Sequence, residues 1–250
     1  MKSLFLSFLL VWLVAPALHA EQSTEDPKPP TKAEAKAAFE KADKALNEIW
    51  AQAKTQLPAE EFETLKADQR GWIGWRDYIA ASFTIVGSEV PENKAKETPE
   101  YLSTAADLME TRVQWLKCYL KDPVEEDTMT GVWEDSQGGI LNIVQEGKKL
   151  FFTLEVVRGP TFHLGNIGGE ATWNSPLGWF SVSDGDAEKK EETNLAFIQR
   201  SRKLEIIGAN TGNFHGARAY FDGEYVRVAK LDAKETAKVK KEAIEGPSDR

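Results

Sequence analysis

LKADQRGWIGWRD, residues 65–77, combines helix-forming residues with two tryptophans three positions apart. Trp72 and Trp75 fall on neighbouring turns of one helical face, and Leu65, Ala67 and Ile79 extend that apolar side. Arg70 and Arg76 flank the pair, where a planar guanidinium can lie over an indole or meet a carboxylate. Apolar stripes at helical spacing are in general packing surfaces, so the plain reading is a core helix. The sharper reading is a recognition surface, and both stay open at this stage.

Working outward, the same periodicity appears on either side. Thr31 reads as an N-cap followed by Glu34. Phe39, Ala42, Leu46, Ile49, Trp50, Ala53 and Leu57 then recur every three or four positions, which predicts an amphipathic helix of about 25 residues. Pro58 followed by Ala-Glu-Glu starts a second helix, running through the quoted stretch to about Phe83. Residues 87–99, with Gly, two Pro and many charges, read as an exposed loop. A third helix is expected from Pro99 to Leu120, with Leu102, Ala105, Leu108 or Met109, Val113, Leu116 and Leu120 inward. Three such helices make an antiparallel bundle over 32–121.

Residues 122–128 (DPVEEDT) have no periodicity and read as a linker. Beyond them the period falls to 2. Gly131-Val132-Trp133 opens a first strand, and Gly138-Gly139 and Gly147 punctuate a hairpin. Further strands are expected at 161–164, 170–174, 178–183, 194–199, 203–208, 216–221 and 224–229. Short strands with Gly/Asn/Asp turns predict an antiparallel β-sandwich or small β-barrel over 129–232. The fold class is therefore α+β. The tail, 233–250, is Lys/Glu/Ala-rich and reads as a solvated helix ending before Gly246-Pro247.

The N-terminus reads as a secretory signal peptide over residues 1–20: Lys2, an apolar run Leu4–Val14, and Leu18-His19-Ala20 before polar Glu21. A polar, proline-rich leader occupies 21–31. No later apolar run reaches the ~18 residues a spanning helix needs. The chain of 250 residues carries 40 acids against 31 bases, a net charge of −9. That balance argues against a nucleic-acid ligand and favours encounter with basic partners. Cys118 is the single cysteine, so no internal disulfide can staple the fold.

Residue patterns for catalysis are missing. There is no Gly-x-Ser-x-Gly elbow, no phosphate-binding glycine loop, and no CxxC or close histidine spacing for zinc; only His163 and His215 follow the leader. No catalytic residue, cofactor or metal is assigned. Recognition residues are more legible. The run 157–174 mixes Arg158, Phe162, His163 and Trp173 with glycines, and 217–225 adds Arg218, Tyr220 and Tyr225. Aromatic and Arg residues on strand ends suit binding surfaces; the plainer alternative turns the aromatics into the core.

Leu46-Asn47-x-x-Trp50, Leu57, Leu65 and Asp68-Gln69-Arg70-x-Trp72-x-x-x-Arg76-Asp77 resemble the N-terminal domain of the LprI-type lysozyme-inhibitor family. The resemblance spans about residues 40–120 and implies a small helical domain of an exported bacterial protein. It makes Gln69, Arg70, Trp72 and Arg76 the signature residues, with Trp50 where the family usually has Tyr. The family's paired cysteines are absent: Ala80 and Ala81 occupy the first region, and Cys118 stands alone. The expectation is an exported, non-enzymatic envelope protein that binds a lysozyme or related hydrolase. The alternative is a small-ligand or glycan-binding β-barrel with the helices as a structural module, and a cell-wall hydrolase is the third.

Overall fold

A computed structural model describes residues 29–85, 91–121, 128–183 and 192–245. The expected signal peptide, nearly all of the leader and the core of the linker lie outside these residues. The helical region comprises α1 (Lys32–Gln56), α2 (Ala59–Ile85) and α3 (Pro99–Tyr119). α1 starts on a reciprocal capping box: Thr31 N donates to Glu34 Oε2 at 2.8 Å and Glu34 N to Thr31 Oγ1 at 3.3 Å. Thr98 caps α3, with Pro99 at its first turn, where a missing N–H costs nothing. The loop between α2 and α3 contains a 3-10 helix, Glu92–Glu97, which buries Ala95.

α3 is the central helix of the three. Its Met109, Val113 and Leu116 meet Leu46, Ile49 and Ala53 of α1 and Leu65 and Trp72 of α2. α1 and α2 also touch at their turn, where the Trp50 and Phe62 rings lie 5.2 Å apart. Ala67, expected on the apolar side, is exposed; the buried arc of α2 runs through Leu65, Gln69, Trp72, Ile79 and Ala80.

The second half is a closed barrel of eight antiparallel strands in sequence order: β1 (Gly131–Glu134), β2 (Gly139–Glu146), β3 (Lys149–Arg158), β4 (His163–Asn174), β5 (Leu177–Ser183), β6 (Glu192–Gln199), β7 (Leu204–Ala209) and β8 (Gly223–Ala229). β8 pairs with β1, which removes both sheet edges. The expectation of a sandwich or barrel thus resolves to a barrel. Its interior is filled by side chains, with Phe152 set edge-on to Phe180 and Phe197 at about 5 Å.

Three further expectations are corrected. The segments expected at 161–164 and 170–174 share one long strand, β4, which begins at His163 after a turn at Thr161 and Phe162, and Gly165–Gly169 (GNIGG) lies within it instead of turning. A Cβ at Gly169 would sit 2.3 Å from Phe180 Cε2, and one at Gly165 would sit 2.7 Å from His215 Cβ. These glycines make room for core rings and a crossing segment; they do not bend the chain. Residues 216–221 are not a strand. A 3-10 helix, Thr211–Phe214, and a single bridge between His215 and Gly165 carry the chain over one barrel end, where Ala219 and Phe221 become core. Finally, the tail helix α4 (Ala233–Glu245) is not wholly solvated. Val239 and Ala243 cover Val144 and Phe151 on the barrel's outer face, and Lys240 pairs with Glu146 at 2.7 Å.

Helices and barrel pack on each other. Trp115 Nε1 donates to Glu134 O (3.0 Å), Arg202 lies 3.2 Å from Glu61 and donates to Lys121 O, and Val226 of β8 enters the helical core.

Candidate binding face of the helical domain

The motif residues of α2 divide between its two sides. Gln69 and Trp72 point inward, the latter 1 % exposed. Both meet Arg112 of α3, a fully buried residue that the sequence reading did not single out. Arg112 Nε donates to Gln69 Oε1 at 2.9 Å, and its Nη2 donates to Asp68. Its guanidinium stacks 4.4 Å from the Trp115 ring and 5.4 Å from Trp72. Burial pulls the Arg112 pKa down and Asp68 opposes that pull. The only sequence signal for this residue is an Arg at a position that α3 periodicity assigns to the inward face.

One turn on, Arg76 donates from Nε (2.9 Å) and Nη2 (2.6 Å) to Asp77 Oδ1, and lies 5.8 Å from the Trp72 ring. Lys96 and the Tyr101 hydroxyl also donate to Asp77. Burial alone would raise the Asp77 carboxyl; the hydrogen bonds from Lys96, Arg76 and Tyr101 outweigh it and hold it below the ordinary range. Burial, reinforced by Asp77, pushes the Tyr101 hydroxyl up to about 12. Arg76 Nη1 also donates to Met109 Sδ of α3 at 3.5 Å, so Gln69, Trp72, Arg76 and Arg112 fasten α2 to α3.

This cluster has a pH signature. Tyr101 titrates higher folded than unfolded, where its pKa is about 10. The stability it contributes is present below about pH 10 and is lost as pH rises towards 12. Burial moves Tyr119 and Tyr225 the same way. Urea unfolding at a series of alkaline pH values should show stability falling above about pH 10, with a shallower fall for Tyr101→Phe. An unchanged slope in that variant would remove Tyr101 from the account.

The other side of α2 is the opposite in character. Ala67, Arg70, Gly71, Ile73, Gly74 and Tyr78 all face solvent, Ile73 being 40 % and Tyr78 57 % exposed. No hydrogen bond or ion pair engages the Arg70 side chain among the described residues. At Gly71 and Gly74 an added Cβ would meet nothing within 4 Å. A glycine in mid-helix costs about 0.5–1 kcal/mol relative to alanine. Nothing in the packing of the described residues requires either one. Two glycines inside one helical pattern were the signal from which this face could have been read.

Residues 20–116 match the family model described as Lysozyme inhibitor LprI. The N-terminal part of the chain is thus an LprI-like domain. The barrel carries no family match. No curated protein and no solved structure matched the chain. In the LprI-like domain the core of the match coincides with α1, α2 and most of α3, so the inward motif residues are its internal framework and Arg70 is the outward one.

The barrel residues singled out from sequence do not form one surface. His163 begins β4, half-buried, with Nε2 2.8 Å from Thr161 Oγ1. Trp173 lies near the other end of the same strand, buried in the core. Tyr220 shares the His163 end: its ring stacks on Arg158 at 4.6 Å and its hydroxyl donates to Gln137 Oε1. Arg218 is exposed nearby in sequence, with φ +68°. Beneath Tyr220, Arg158 Nη2 lies 2.6 Å from Asp135 Oδ2, with both side chains buried.

Proposed function

We propose that this chain is an exported, non-enzymatic, lysozyme-inhibitor-like protein that docks a basic lysozyme-type hydrolase on the outward face of α2. The single observation that carries this reading is the pair Gly71 and Gly74, whose stability cost nothing among the described residues explains. Bare helix backbone between Arg70, Ile73 and Tyr78 lets a partner approach closely, and Arg and Tyr are frequent anchors of interfaces. The family match supports the class of partner. The acidic balance, −9 for the chain, would steer a basic one.

The test is residual lysozyme activity on purified peptidoglycan against increasing amounts of residues 21–250. Saturable loss near stoichiometric ratios is the expected result. Gly71→Ala combined with Gly74→Ala should raise unfolding stability by about 1–2 kcal/mol. The same variant should weaken inhibition about tenfold or more, since a methyl group on each turn holds the partner off. Inhibition unchanged in the stabilised variant would place the docking face elsewhere. No inhibition of any lysozyme type by the wild-type protein would remove the function.

A further inference from the structure

We propose that a cleft at one end of the barrel binds an uncharged, hydroxyl-rich ligand of the saccharide class. The cleft lies between the β2–β3 turn, the β4–β5 turn and the end of β6, and measures about 390 Å³. That is within the range of about 300–1,000 Å³ typical of small-molecule sites. Met129 and Trp173 form its buried floor; Gln145, Asn174, Ser175 and Gln199 line its walls.

The lining selects the ligand chemistry. Among the described residues its lining has no carboxylate to offer a metal ion or a polycation. Among them it has one ammonium group, Lys148, and no guanidinium, too little for a phosphate or a polyanion. Amide and hydroxyl side chains both donate and accept, which is what sugar hydroxyls also do. The apolar floor suits the C–H face of a sugar ring. Because the barrel interior is packed, the ligand sits at this mouth and not in the lumen.

The walls are also pre-positioned. Gln145 is clamped, accepting from Met129 N at 2.7 Å and donating to Gly147 O at 3.0 Å. Trp173 N donates to Lys148 O, and Gln199 N to Pro176 O, both at 2.8 Å, which ties the three chain segments together. The side chains of Asn174, Ser175 and Gln199 have no hydrogen-bond partner among the described residues. A rigid frame thus presents uncommitted polar groups, the arrangement that binding favours over one in which every group is already satisfied.

The experiment is a titration of the ¹⁵N-labelled full chain with N-acetylglucosamine, methyl glucoside and, as the acidic comparison, N-acetylmuramic acid. Saturable shifts of the Asn174 and Gln199 side-chain amides with a neutral sugar are expected, with Kd of about 0.1–10 mM. Asn174→Ala together with Gln199→Ala should weaken binding about tenfold, the equivalent of two lost hydrogen bonds. Both side chains are exposed and uncommitted, so Tm should not move. Saturable shifts that persist unchanged in the double variant would overturn the site. Absence of saturation with both neutral sugars up to ~50 mM would overturn it as well. Binding of the acidic sugar alone, abolished by Lys148→Gln, would overturn the uncharged-ligand assignment in favour of an anion site.

Discussion

Arg112→Ala should lower the unfolding free energy by about 3–5 kcal/mol, measured by urea titration followed by helical circular dichroism. The truncation empties a fully buried volume between Trp72 and Trp115 and leaves the buried Gln69 carbonyl without its donor. Asp68, one-third exposed, is rehydrated and adds less. Arg112→Met should lose clearly less than alanine, because it refills the volume without a charge to desolvate. Arg112 also has a buried Nη1 with no hydrogen-bond partner among the described residues, a cost that Met removes. Arg112→Lys should fall between the two: the charge stays, but the planar stack and the two-point contact with Asp68 and Gln69 go. Equal losses for Ala and Met would show that the charge, and not the packing, holds α2 to α3. In either case a loss of inhibition in these variants would report unfolding of the framework and not a contact with the partner.

Asp135→Ala is the matching experiment in the barrel, with an expected loss of about 3–5 kcal/mol. Asp135 performs two tasks. Its Oδ1 accepts from Gln137 N (2.8 Å) and Gly139 N (2.7 Å), which shapes the turn from β1 to β2. Its Oδ2 faces Arg158, whose Nη1 is already buried without a hydrogen-bond partner among the described residues. Alanine leaves that guanidinium uncompensated beneath Tyr220. Asp135→Asn keeps an acceptor for the turn and removes only the charge, so it should cost less than alanine. Near-ultraviolet circular dichroism, sensitive to Trp133 and Tyr225 in the barrel core, follows this transition. If Asn and Ala lose the same amount, the turn contributes little and the ion pair carries the effect.

Framework and recognition roles fall on different residues of α2. A sequence motif containing Gln, Arg, Trp and Arg invites mutation of all four residues. Three of them are internal to the α2–α3 contact, and their loss would mimic loss of function through loss of fold. Arg70, Ile73 and Tyr78 can be changed with little expected effect on stability, because exposed side chains without partners contribute little. The two glycines go further: replacing them should improve stability while harming binding. That opposition separates a recognition surface from a packing surface.

Much of the architecture was legible locally. Capping at Thr31, the helix start at Pro99, the 3.6-residue period of three helices and the change to period 2 after residue 128 are short-range signals, set by backbone geometry and by which side of an element meets water. What they cannot carry is which inward residue meets which. Arg112 is 44 positions from Asp68, and only the docking of α3 on α2 makes them partners. The glycines of β4 look like turn residues until Phe180 and His215 are seen occupying the space their side chains would fill. The segment 216–221 has strand-like residues but closes a barrel end, because the neighbouring ladder positions are already taken by β8 on β7 and β1. By itself the sequence determined most of the elements and their order, the likeness of the helical half to the LprI family and the inward or outward side of most positions. The tertiary structure alone decided that Gln69, Trp72 and Arg76 serve the fold while Arg70 has no partner among the described residues, since burial and partnership are properties of pairs far apart in the chain.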